Sequence, residues 1–212
     1  IAERDFTLEL GFWKRLLAGN PPPLQLPLDF PRPAGMGAAG LSLSFSLPQD
    51  VTRRLAQQAQ SEGASLFMIV AAGFATLVYR YTGQDSIVLG TPFAQRSRPE
   101  LDNIIGLFLN MLALRADFRP DMTFRETLAL MRERSLEAYR HHELPFERLV
   151  EELQPARALN RHPLFQVMLA FQNFPIAPGS AANVSFRPLT MDRGLTEFDI
   201  AAYMWEDGGT LQ

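Results

Sequence analysis

The sequence predicts a layered α/β fold, a mixed sheet packed by helices, and three observations carry the prediction. Residues 41–47 alternate Leu41, Leu43, Phe45 and Leu47 against Ser42, Ser44 and Ser46, the period-two pattern of a half-buried strand. Two helical stretches follow with no strand between them. The chain then returns to a continuous apolar run, Ile87-Val88-Leu89, which reads as a buried strand. Strand, paired helices and strand in that order build layers of sheet and helix.

The elements follow in order. Phe6, Leu10, Trp13 and Leu17 recur at helical spacing, so residues 5–18 read as an amphipathic helix ended by Gly19 and Asn20. Residues 20–40 hold Pro21, Pro22, Pro23, Pro27, Pro31 and Pro33, then Gly35, Gly37 and Gly40, an extended link laid over a surface. After the 41–47 strand, Pro48 opens a helix with Val51, Leu55 and Ala59 on its buried stripe. Ser65 caps the next helix, residues 66–81, which is apolar on nearly every side and is expected to pack on both faces. A strand over residues 86–91 breaks at Pro92. A charged loop, residues 95–102, leads into a second apolar run at 104–114 that contains Gly106 and a single amide, Asn110. A buried Asn left unpaired costs about 1–3 kcal/mol, so Asn110 is expected to have hydrogen-bond partners.

Beyond Arg119-Pro120, Thr123 and Glu126 form a capping box for a helix running to about Tyr139. His141, His142 and Glu143 link it to a helix opened by Pro145. Arg157 and Arg161 lie in the loop that follows. Residues 164–171, 184–191 and 196–205 read as strands, with a protruding loop at 174–183 and a turn at 206–209 where a further partner strand would begin.

Composition limits the function classes. The 212 residues, 47% hydrophobic and 20% charged, suit one large domain or two small lobes. A net charge of −3 with no basic block disfavours binding nucleic acid by phosphate neutralisation. No apolar run reaches the roughly 18 residues of a membrane span. The absence of cysteine excludes disulfides, thiolate nucleophiles and thiolate metal sites. It fits a reducing compartment, and a cytoplasmic location is expected. No signal peptide is expected at Ile1, and the chain reads as an excerpt of something longer.

Two features could carry chemistry. His141-His142 could supply a general base, or simply form a polar link at a helix C-terminus, which the spacing favours. Arg96 and Arg98 flank Ser97 in the central loop and could meet an anion or a carboxylate of another lobe, against the plainer reading of a solvated loop. No His/Glu cluster has metal-ligand spacing, and no glycine pattern cradles a phosphate.

Five passages carry a resemblance. Trp13 to Gly19 with Leu26 to Pro33 resembles "yWxxxLaG…LPtDrpRP". Ile105, Gly106, Phe108 and Asn110, with Arg115 beyond, resemble "IGxFVNT…R". His142, Pro145, Phe146 and Glu147 resemble "HQDxPFE", and Arg157 to Leu164, including Pro163, resembles "RDxSRNPL". Thr196 to Asp199 resembles "tKFDL". Together they resemble the C-terminal half of a nonribosomal peptide synthetase condensation domain. Met111, Ala158, Asn160 and His162 depart from the motif letters.

The resemblance implies a chloramphenicol-acetyltransferase-like lobe. Residues 1–40 would be the inter-lobe helix and link, and 41–212 the C-terminal lobe, with the N-terminal lobe and a last strand outside it. It implies amide formation between thioesters carried on phosphopantetheine arms of carrier proteins, with no cofactor bound directly and an adenylation domain adjacent. The catalytic "HHxxxDG" motif is expected upstream, so no catalytic residue falls in this segment, and Arg96 would pair with that motif's Asp. The central loop would border the tunnel, and residues 174–195 would form a latch to the other lobe. The alternatives are a non-catalytic platform that recruits partners and a freestanding acyltransferase of the same fold. Apolar surface is expected where the other lobe and a final strand would dock.

Overall fold

The computed structural model describes residues 5–19, 21–35, 39–96, 99–101, 104–155, 160–172, 180–181, 184–185 and 194–212. The order is α1 (Thr7–Leu16), α2 (Gln49–Ser61), α3 (Leu66–Thr82), β1 (Ser86–Ala94), a short 3-10 turn (Pro99–Leu101), β2 (Leu109–Asp117), α4 (Phe124–Arg140) and α5 (Phe146–Leu153). Then come β3 (Val167–Gln172), β4 (Ser180–Ala181), β5 (Val184–Ser185), β6 (Ile200–Asp207) and β7 (Thr210–Leu211). Five strands make one mixed sheet in the order β2-β1-β3-β6-β7, and β4 pairs with β5. β1 is antiparallel to β2 and parallel to β3, which is parallel to β6; β7 turns back on β6. This is the α/β sandwich expected.

The helices begin and end where local chemistry directs. The Ser65 hydroxyl accepts from the Met68 amide at 3.2 Å, and Gly83, with φ +65°, closes α3 in a left-handed turn that favours glycine. Thr123 and Glu126 close the capping box of α4: the Thr123 amide donates to the Glu126 carboxylate at 2.7 Å. Those hydrogen bonds from Thr123 hold the Glu126 carboxyl below its usual pKa. α3 packs against α2, α4 and β1 through Met68, Ile69, Ala71, Ala72, Ala75 and Val78. The helix is not covered all round: Leu77 and Tyr81 stay exposed.

Strand boundaries differ more. Residues 41–47 are not a strand: only Leu47 bridges, to Leu211, while Leu41, Leu43 and Phe45 are 101%, 88% and 66% exposed. The alternation is present, but among the described residues 41–46 have no ladder partner, and a strand needs its backbone groups paired. β1 runs through Pro92 to Ala94. β3 pairs with β1 only at Leu89 and Gly90, so at Pro92 a missing N–H breaks no ladder on that side. β2 starts at Leu109, not residue 104, and the preceding apolar residues form an uncovered loop. β3 starts at Val167, not residue 164, and β6 starts at Ile200, after a turn in which the Thr196 hydroxyl bonds the Phe198 carbonyl at 2.7 Å. The protruding loop, the 184–191 strand and the latch lie mostly outside the described residues; β4 and β5 are their described parts.

Ile87, Leu89 and Thr91 share one face of the hairpin with Ala116, Leu114 and Leu112, and all are buried. On the opposite face Val88 borders Leu17 and Leu153, and Gly90 lies under the buried ring of Phe165. A sheet covered on both faces explains the unbroken apolar run of β1. A Cβ at Gly90 would sit 2.1 Å from the Phe165 ring. Gly90→Ala is therefore expected to lower unfolding free energy by about 1–3 kcal/mol through overpacking. Trimming the ring in Gly90→Ala/Phe165→Leu should cost less than the two single changes added together. Strictly additive losses in urea melts would count against the clash.

Candidate functional site

Asn110 is the centre of the site. From β2, its Nδ2 donates to the carbonyls of His142 and Leu144, both at 2.8 Å. Its Oδ1 accepts from the amides of Phe146 at 3.0 Å and Met111 at 2.9 Å. The whole capacity of the buried amide is used, as its position among apolar residues predicted. Gln95, just past β1, donates to the same His142 carbonyl at 2.7 Å, and Trp13 of α1 donates to the His141 carbonyl at 3.0 Å. Three elements thus hold one turn, residues 141–146, by its backbone.

That turn answers the His141-His142 question. The His141 ring stacks on Phe12 with centroids 4.2 Å apart. His142 Nδ1 lies 2.7 Å from the Tyr139 carbonyl, which can only accept, so Nδ1 carries the proton. Phe93 lies against His142 and Tyr139. Burial pushes the Tyr139 hydroxyl up to about 12, which keeps it protonated. The geometry is that of a locked link between α4 and α5. Pro145 caps α5, Phe146 is buried, and Glu147 is exposed in the first turn, where the helix dipole favours an acid.

At the end of β1 the Arg96 guanidinium donates to the carbonyls of Leu101 and Ile104, and stands 4.3 Å from the centre of the Phe108 ring. The Gln95 amide closes the loop onto the Phe108 carbonyl at 2.6 Å. The loop so anchored leaves Ile104, Leu109 and above all Ile105 (102%) and Leu107 (91%) exposed. Gly106 sits by Phe108: an added Cβ would come within 3.2 Å of the ring. Arg115 serves elsewhere. It donates to the Leu16 and Ala18 carbonyls at 3.3 and 2.6 Å, capping the C-terminal end of α1, and pairs with Asp117 at 2.8 Å. Arg98 and Arg157 lie outside the described residues.

The late motifs meet in an aromatic cluster. His162 stacks on Phe165 (4.5 Å) and Phe146 (5.4 Å), and Phe198 lies tilted against it (4.9 Å). Burial pushes its imidazole pKa down, and its Nδ1 is buried without a partner. Pro163 and Leu164 line a cleft of about 70 Å³ with Leu17, Val88 and Leu153. Asp199 makes a bidentate ion pair with Arg32 at 2.8 and 2.5 Å, which raises the Arg32 pKa. Sequence reasoning placed Arg32 and Asp199 in separate motifs and missed their pairing, since no local spacing signals a contact across 167 positions. Among the described residues no group of His, Asp and Glu is arranged to hold a metal.

Comparison with known proteins gives a consistent result. The family model for the Condensation domain matches residues 1–212. The isonitrile lipopeptide synthase of Mycobacterium tuberculosis is 39% identical over 199 residues, covering 94% of this chain and 8% of that protein. The dimodular nonribosomal peptide synthase of Bacillus subtilis (strain 168) is 40% identical over 199 residues, covering 94% of this chain and 8% of the relative. Among solved structures, holo-AB3403, a four-domain nonribosomal peptide synthetase bound to AMP and glycine, superposes with a TM-score of 0.90 at 27% identity, over 100% of this chain and 17% of that one. The X-domain from teicoplanin biosynthesis, in its complex with OxyB, has a TM-score of 0.80 at 28% identity, over 95% of this chain and 44% of that one. The chain thus spans less than a tenth of the length of these curated relatives, 8% of each.

The locked turn and the buried imidazole are both open to measurement. Asn110→Ala should destabilise the chain by about 1–3 kcal/mol or more, because it strands buried carbonyls and the Phe146 amide. An unchanged urea midpoint would refute the locked turn. His162 has a folded-state pKa below its unfolded value, so its contribution is full above the unfolded pKa of about 6.5 and is lost as pH falls toward the folded value. His162→Phe should therefore flatten the fall in melting temperature between about pH 7.5 and 5.5. An equal slope in both proteins would show that burial of the imidazole is not the cause.

Proposed function

Since the chain belongs to the condensation-domain family, represented among its relatives by nonribosomal peptide synthetases, we propose that it forms the C-terminal lobe of an amide-forming domain. Residues 1–40 are the inter-lobe helix and link, and 41–212 the lobe. The observation that carries this reading is the anchored loop at the open end of β1 and β2, whose Ile104, Ile105, Leu107 and Leu109 are uncovered. An Arg-stapled loop offering four apolar side chains suits a wall against which a second lobe closes.

In this reading two carrier proteins present thioesters on phosphopantetheine arms from opposite sides of a tunnel. The acceptor amine attacks the donor carbonyl, the carbon–sulfur bond breaks, and the thiol of the donor arm leaves as the amide forms. Both reactants are tethered, so alignment supplies most of what the lobe must give. The locked turn at residues 141–146 and the stapled loop provide a rigid wall. His141 stacks on Phe12 and the His142 ring lies tilted against Phe93 within that turn, and in this reading the proton-transfer role belongs to the HHxxxDG motif of the other lobe. Arg96 stands at the loop's root and pairs with the Asp of that motif across the interface.

The partners proposed are the N-terminal lobe, carrier proteins and an adjacent adenylation domain, in the cytoplasm; no cofactor is bound directly. No single described helix is long and apolar enough to cross a membrane. A second reading, a non-catalytic platform, draws on the likeness to the X-domain whose solved complex contains OxyB. An intact HHxxxDG in the preceding lobe favours the enzyme and its loss favours the platform.

The test is amide formation by the complete domain with loaded carrier proteins. Arg96→Ala should cut the rate about 10- to 100-fold, the scale of a misplacement near 1 Å, with little change in melting temperature. Full activity of Arg96→Ala would remove Arg96 from the interface. No amide formation by a wild-type domain with an intact motif would replace the enzyme reading by the platform.

A further inference from the structure

The half-buried arginines show what a guanidinium needs in this lobe. Arg32 holds Asp199, Arg134 holds Glu137 at 3.0 Å, Arg115 holds Asp117 and two carbonyls, and Arg96 holds two carbonyls. Arg161 is the exception. It is half-buried like the others, yet its Nε is buried without a partner, and no oxygen of a described residue bonds its guanidinium. The acids nearest to it along the chain are engaged elsewhere, Glu151 with Arg148 at 3.6 Å and Glu152 with Lys14 at 3.0 Å. A buried donor on a charged group is costly to leave without an acceptor.

Arg161 lines the cleft of about 70 Å³ already described beside Val88. Besides its aliphatic side chains, four prolines wall it: Pro21, Pro23, Pro155 and Pro163. Proline has a fixed φ and no backbone N–H, so these walls are stiff and offer no main-chain donor of their own. The guanidinium is the one charged group among the described residues of the lining.

We propose that this cleft is a subsite for a carboxylate on a short alkyl stem. Arg161 takes the carboxylate, and the Pro and Leu walls take the stem. One water needs about 10–15 Å³ of such space, so about five non-hydrogen atoms fit. That is the size of propionate, and of a glutamate side chain beyond its Cα. A free short-chain acid and a glutamate of a partner segment share this chemistry. The stapled loop lies past the far end of β1, about 20 Å along the strand from Val88. The subsite is therefore separate from the wall proposed above and does not depend on the catalytic reading.

The test is titration of the complete domain with propionate, read at the Nε–H resonance of Arg161, which is assigned by its absence in Arg161→Gln. Propionate should shift that resonance saturably. Acetate, one CH₂ shorter, should bind about fourfold more weakly. Neutral propionamide should bind at least about tenfold more weakly than propionate, because the guanidinium then lacks its counter-charge. Propionate should also raise the melting temperature, and Arg161→Gln should lose that rise while melting no lower than wild type without ligand. A Gly-Glu-Gly peptide with blocked ends tells the sources apart: saturation by the peptide as well assigns the cleft to a protein side chain, and saturation by propionate alone assigns it to a free acid. No saturable shift with either probe overturns the proposal, as does an equal response to propionamide, a comparison that needs no variant. An undiminished rise in melting temperature in Arg161→Gln overturns it too.

Discussion

The structure depends on the amide of Asn110. A side chain buried in β2 spends two donors and an acceptor on the turn that joins α4 to α5, and its remaining bond on its own neighbour. In an apolar surround each of those groups would cost about 1–3 kcal/mol if stranded, so turn and strand cannot part without losing several at once. Gln95 and Trp13 add to the same clamp from the end of β1 and from α1. One amide thus couples the hairpin edge to both helices, and the loop between β1 and β2 is presented from a fixed base.

A second clamp turns the proline-rich segment into structure. Prolines offer no backbone donors, so this stretch must satisfy its remaining polar groups through side chains. Gln166 accepts from the Leu24 amide at 2.7 Å, Asn160 donates to the Pro33 carbonyl at 2.8 Å, and Arg32 grips Asp199 with both guanidinium nitrogens. Asp199 immediately precedes β6, and its amide also donates to the Gln166 carbonyl at 2.8 Å. The entry point of β6 is therefore set by the segment that crosses over it.

These clamps mark what could be read from residues alone. Caps were legible because their signals are local: Ser65 and the Thr123/Glu126 pair each act within one turn. The buried status of Asn110 was legible from its apolar neighbours, but its partners were not, since they come from a turn 32 to 36 positions away. Arg32 and Asp199 carried no hint of one another. Strand ends were misjudged for a single reason: a strand extends as far as its partner does. Pro92 did not stop β1 because β3 had already left, and the alternation of residues 41–47 did not make a strand because, among the described residues, only Leu47 finds a ladder partner. The five motif passages, read together, pointed to the family that the match over residues 1–212 then established.

Most motif residues prove to be architecture. Asn110, Phe146, Arg115, Asp199 and Trp13 satisfy backbone groups, cap a helix or fill the core. The family signature thus records how the lobe is held together, but one motif run, residues 105–111, also offers open surface: Asn110 holds the turn at 141–146, while Ile105 and Leu107 stand exposed. Burial of apolar area is worth about 25 cal/mol per Å², so an anchored loop that keeps Ile105 and Leu107 in water forgoes stabilisation that a floppier loop could recover by folding back. Arg96 donates to the Leu101 and Ile104 carbonyls from the root of this loop. Ile105 and Leu107 at one edge of the sheet, and Leu41, Leu43 and Phe45 at the opposite edge, are exposed apolar surface of the kind that marks interaction sites.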